Sequence, residues 1–118
     1  MNLKMSTRMV DGITLVDCTG RIVFGEESAL LRETVKRLLN ETKQIVLNLG
    51  GVNYIDSGGL GTLVGLYTSA RSVNGNIKLA NLTKRVGDLL QVTKLVTVFD
   101  VYEGEDKAIH SFRKSATM

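Results

Sequence analysis

The chain has 118 residues, 43% of them hydrophobic, with a formal charge of +3. That length leaves room for one compact domain with a real core and not for two, and so modest a charge singles out neither nucleic acid nor a membrane surface as partner. One cysteine excludes an intramolecular disulfide; with neither signal peptide nor membrane span in the sequence, a reducing cytoplasm is the expected compartment.

Leu3 to Val10 alternates apolar and polar residues and reads as an edge strand. Asp11-Gly12 is a strong two-residue turn signal, and Ile13 to Thr19 returns as the second strand of a hairpin that Gly20 ends. Arg21 to Glu27 is expected as a connector. Ser28 is the expected cap of a helix carrying Leu31, Val35 and Leu38 on one face and Arg32, Glu33, Lys36 and Arg37 on the other.

Gln44 to Leu49 is dense in β-branched and apolar residues, as in a central strand, with Gly50 to Ile55 as a short connector. A second helix follows, with Leu60, Leu63, Val64 and Tyr67 on one face, ending near Asn74-Gly75. Ile77 to Ala80 is a short strand, and Thr83 is placed to cap a helix bearing Val86, Leu89 and Leu90. Leu95 to Phe99 reads as partly extended, and Glu103 to Phe112 as a last helix with Ala108, Ile109 and Phe112 inward. The order predicts an α/β fold: a mixed sheet of four to five strands with an N-terminal hairpin, covered by about four helices. One domain spans 1–113, and 114–118 is expected as a flexible tail.

The stretch Asp56-Ser57-Gly58-Gly59-Leu60-Gly61 carries the functional signal, because it sets a hydroxyl beside a carboxylate at a helix start. First-turn amides lack intrahelical partners, so such a position suits an anion or a phosphoryl group. Two readings stand side by side. Ser57 is a plain helix cap, or it is a phosphoacceptor whose added charge would repel Asp56 and spoil a docked surface.

Other chemistry finds less support. A nucleophilic Ser57 needs a base, and nothing pairs it with the only histidine, His110; Ile55 also breaks the Gly-X-Ser-X-Gly pattern. The Gly-Lys-Ser/Thr ending of a phosphate-binding loop is missing, and one histidine with one cysteine argues against zinc. Arg32, Lys36 and Arg37 read as a solvated helix face, so no direct nucleic-acid contact and no cofactor are expected.

With these residues in view, the chain resembles the STAS domains, most closely the single-domain bacterial anti-sigma factor antagonists. The resemblance runs from the first hairpin to Phe112. It rests chiefly on Asn48-Leu49, Val52 and Tyr54-Ile55-Asp56-Ser57-Gly58-Gly59-Leu60-Gly61, supported by Gly20-Arg21-Ile22, Gly75 to Leu79 and Val86 to Leu90. It implies helices on one side of the sheet, and Ser57 as the residue phosphorylated by an anti-sigma factor with serine-kinase activity. Asp56 would position or activate that hydroxyl. It further implies a binding module rather than an enzyme: unphosphorylated it sequesters the anti-sigma factor and releases a sigma factor, and a serine phosphatase resets the cycle.

The expected partner-binding residues are Asp56, Ser57, Gly58, Gly59, Leu60 and Gly61, with Val23, Phe24 and Glu26 of the connector alongside. Leu60 reads equally as a core residue at the first inward helical position. Two positions depart from the family pattern: Gly58 stands where Ser or Thr is usual, and Val23 where many relatives carry an acid. The rival functions are a STAS scaffold that is never phosphorylated and a small-ligand or nucleotide-binding module.

Overall fold

The computed structural model describes residues 2–116. Its centre is a five-stranded sheet in sequential order: β1 (Leu3–Val10), β2 (Ile13–Ile22), β3 (Gln44–Ile55), β4 (Asn76–Ala80) and β5 (Asp100–Tyr102). β1 and β2 are antiparallel around Asp11-Gly12, whose φ angles of 54° and 80° are those of the tight hairpin turn that the pair predicts. The remaining neighbours are parallel, so each crossover carries a helix: α1 (Glu26–Leu39), α2 (Ser57–Ser72) and α3 (Lys84–Val92). α4 (Glu105–Ala116) closes the described chain. The α/β class and the mixed sheet match expectation.

The helices divide between both faces, which corrects the expectation of a single covered side. Ile45, Leu47 and Leu49 point to a large cluster with Leu31 and Val35 of α1, Leu63 and Leu66 of α2 and Leu90 of α3. Val46, with Ile13, Leu15 and Ala80, faces the opposite way and packs under Ala108, Ile109 and Phe112 of α4. Strand alternation forces this split, because a continuous apolar run in a parallel strand needs cover on both sides. Each fully buried Leu or Ile contributes about 1.5–3 kcal/mol relative to exposure, so the larger cluster dominates.

Several boundaries differ from the sequence reading, each for a local reason. β2 runs on through Arg21 and Ile22, and β3 through the expected connector to Ile55, because Thr19, Gly20, Arg21 and Ile22 pair with Gly51, Val52, Tyr54 and Ile55 across two register shifts. The glycine pair in β3 marks a close approach rather than a strand end. Gly25, not Ser28, is the N-cap of α1; Ser28 lies buried inside the first turn, where its hydroxyl donates to the Val23 carbonyl at 2.7 Å.

Leu95–Thr97 is a short 3-10 turn rather than strand, entered through Lys94 at φ 62°. The turn buries Phe99 edge-on against Tyr67, with ring centroids 5.6 Å apart. Tertiary packing overrides the β-branched pattern there, and the strand itself is the next segment, β5. α4 begins at Glu105 and continues to Ala116, beyond the expected domain end at 113; the final two residues of the expected tail, Thr117 and Met118, lie outside the described residues.

Candidate functional site

The C-terminal ends of β2 and β3 lie side by side, and the chain leaves them into α1 and α2 respectively. Asp56 stands at the second exit in an extended conformation and caps α2: its Oδ1 accepts the Gly59 amide at 2.8 Å. The same carboxylate accepts the Phe24 amide at 3.1 Å on each oxygen. One side chain therefore ties the connector from β2 to the head of α2. Accepting backbone N–H groups, from Gly59 first and Phe24 next, holds the Asp56 carboxyl below the usual carboxylate range.

Asp56 thus takes the capping role left open for Ser57, and Ser57 is the first helical residue. It is exposed, and among the described residues nothing bonds its hydroxyl. Gly58 and Gly59 explain how the helix sits so low on the strand ends. A Cβ on Gly59 would lie 2.0 Å from the Ile22 carbonyl oxygen, and one on Gly58 would lie 2.7 Å from Phe24 Cβ and 3.1 Å from its Cα. The connector that Gly58 admits carries Phe24 with 81% of its surface exposed.

A comparison with protein families decides the affiliation: the model for the STAS domain matches residues 4–108. The chain belongs to the STAS domain family. Among curated relatives, this STAS domain is 29% identical over 102 residues to the anti-sigma-B factor antagonist of Bacillus subtilis, covering 86% of this chain and 92% of that one. Among solved structures, an anti-sigma factor antagonist from Mycobacterium paratuberculosis superposes with a TM-score of 0.80 at 20% identity, with 94% of each chain covered. The anti-sigma factor antagonist SpoIIAA in its unphosphorylated form gives a TM-score of 0.76 at 19% identity, covering 94% of this chain and 97% of that one. SpoIIAA in its phosphorylated form gives 0.68 at 16%, covering 92% and 99%. These structures share the fold.

Within this STAS domain the expected site residues fall into two groups. Ser57, Gly61, Phe24 and Glu26 are exposed; Asp56, Gly58 and Val23 are half-buried. Gly59 and Leu60 are buried, the latter at 8% exposure within the large core cluster, so Leu60 takes the core position that its spacing also allowed and Gly59 does not present a surface. They set the height and angle of α2 instead. Leu60 occupies the inward helical position because its amide bonds the Asp56 carbonyl at 2.9 Å, which fixes the first turn.

Sequence reasoning missed two features of the surroundings. A cleft of about 560 Å3 runs between α1 and α2, bordered by Phe24, Arg32, Gly58, Gly61 and Gly65. On the other flank, Tyr54 of β3 carries the guanidiniums of Arg21 and Arg85 over its ring, at 5.3 and 5.6 Å from the centroid. The signal for the second was the pairing of β2 with β3 past Gly51, which the glycines concealed. Cys18 is buried, and desolvation, aided by the Asp17 charge, pushes its thiol up to about 12. His110 is exposed on α4, across the sheet from α2. Among the described residues no His, Cys, Asp and Glu side chains cluster as a metal site, and no helix is long and apolar enough to cross a membrane.

Proposed function

We propose that this STAS domain is a phosphorylation-switched binding module. Unphosphorylated, it docks on an anti-sigma factor with serine-kinase activity and so frees a sigma factor; phosphate on Ser57 ends the docking until a serine phosphatase removes it. The observation that carries this reading is the exposed, unbonded Ser57 hydroxyl at the head of α2, beside an exposed Phe24 and a carboxylate already committed to the backbone. A phosphoryl group there brings a charge of about −2 next to Asp56, and a docked surface matched to a neutral hydroxyl cannot accept it. The named functions of the relatives support the same assignment.

The test uses purified serine-kinase anti-sigma factors from the same organism. Incubation with ATP and mass mapping is expected to place a single phosphate on Ser57. Ser57→Ala retains binding and takes no phosphate, and Ser57→Asp loses at least about tenfold in affinity, the scale of one misplaced charge at an interface. Phosphate mapping elsewhere, or undiminished binding by Ser57→Asp, overturns the reading. A second reading, a small-ligand module, draws on the cleft between α1 and α2, where Arg32 and Lys36 face glycines. Saturable nucleotide binding lost in Arg32→Ala, without any kinase partner, would favour it.

A further inference from the structure

Tyr54 lies three residues before Ser57, 37% exposed at the end of β3. Arg21 reaches its ring from the neighbouring position of β2, and Arg85 from the first turn of α3. Both arginines are exposed. Among the described residues neither guanidinium has a carboxylate within 4.0 Å: the ion pairs formed are Arg8 with Asp17 and Glu105, Lys84 with Asp88, Lys107 with Glu103, and Arg113 with Asp11. Of the nearby acids, Glu27 accepts the Asn2 amide at 3.0 Å and also feels the charge of Arg21, though it forms no ion pair with it, and Asp88 pairs with Lys84 at 3.0 Å.

Two like charges gathered on one ring repel each other. The ring quadrupole offsets part of that repulsion, and an anionic group brought to this edge would offset more of it. Guanidinium forks match a carboxylate with paired donors, which makes the pair a recognition element for an acidic side chain. Beside it lies a hollow of about 250 Å3, walled by the apolar Ile55, Val86, Leu89 and Val92 with Tyr54, and lined also by Arg85 and by Asp88, which pairs with Lys84; Val92 is 79% exposed. The hollow takes an aliphatic side chain, and Arg85 on its lining, with Arg21 at the same Tyr54 ring, takes an acid.

We infer that Arg21, Tyr54 and Arg85 form an acid-recognition clamp for the anti-sigma partner, which meets it with a segment carrying an aspartate or glutamate next to an aliphatic residue. The inference rests on the proposed function and names the chemistry of the partner's face. A protein partner is favoured over a free anion because an apolar hollow adjoins the charges, and hydrophobic centres with charged rims are the pattern of protein interfaces. Tyr54 leads along β3 into the head of α2 and Arg21 along β2 into the connector that carries Phe24, so one partner reaches both.

The experiment measures calorimetric affinity for the serine-kinase anti-sigma factor that phosphorylates the parent protein, at low and at high salt. Arg21→Ala and Arg85→Ala are each expected to weaken binding roughly tenfold, the size of a lost charge-assisted pair. The double variant loses most of the salt dependence, because that dependence reports the opposed charges. Arg85→Lys, which keeps the charge and the fold but not the fork, recovers only part of the loss. Arg71→Ala, in the last turn of α2 far from Ser57, leaves binding unchanged. Ser57 phosphorylation in the variants shows a raised KM with kcat retained, since no reacting group is touched. Affinity and salt dependence equal to the parent's in Arg21→Ala and Arg85→Ala overturn the clamp alone. If the parent binds no such kinase, the functional reading falls and the clamp falls with it.

Discussion

Two aspartates of this molecule sit in different company, and their roles differ accordingly. Asp17, in the middle of β2, accepts Arg8 of β1 at 2.7 and 3.1 Å and the Asn48 amide of β3 at 2.9 Å, while Arg8 also pairs with Glu105 of α4. Asp56 accepts only main-chain N–H groups, from the connector and from α2. Asp17 therefore joins three elements through their side chains and uses up the groups that a partner would need. Asp56 fixes main chain and leaves the side chains of Ser57 and Phe24 free for solvent. The contrast separates a region built for cohesion from one built for presentation.

The sharpest way to break the presenting region is Gly59→Ala. Its added methyl has no space against the Ile22 carbonyl, 2.0 Å away. A loss of about 3 kcal/mol is expected from such overpacking, read as a lower urea midpoint. Acid titration sharpens the comparison of the two carboxylates. Both Asp17 and Asp56 are held below the ordinary value of 3.8, Asp17 chiefly by Arg8 and Asp56 chiefly by the Gly59 amide. Each contributes stability that is present above that value and is lost as pH falls through its folded pKa. Below about 3.8 the melting temperature should drop, and Asp56→Asn should remove part of that drop while Asp17 retains its share. The smallest effect, with opposite sign, is expected for Gly65→Ala: a Cβ there meets nothing within 4 Å, so helix propensity adds up to about 1 kcal/mol.

Much of this could be read in the sequence because local chemistry and global fold agree. The hairpin at Asp11-Gly12, the cap at Thr83 and the apolar faces of α1, α2 and α4 all follow from residue types at the right spacing. The head of α2 was legible for the same reason, since Asp-Ser-Gly-Gly ahead of an apolar period is a helix start whichever residue caps it. What escaped was decided by distant contacts. Gly50-Gly51 reads as a break, yet β2 pairs across it. Leu95 to Phe99 reads as strand, yet burial of Phe99 against Tyr67 turns it. No local pattern assigns α4 to the far side of the sheet, and Phe24 acquires its meaning only when Gly58 is seen beneath it.

The three amide contacts to Asp56 have a chemical consequence. Lone pairs directed at amide protons, on a carboxyl already weakened as a proton acceptor, are poorly suited to deprotonate an alcohol. If Ser57 is phosphorylated as proposed, the general base is expected on the molecule that brings the nucleotide. In that reaction the chain would contribute an exposed hydroxyl at a helix head, with the reactivity left to the other party.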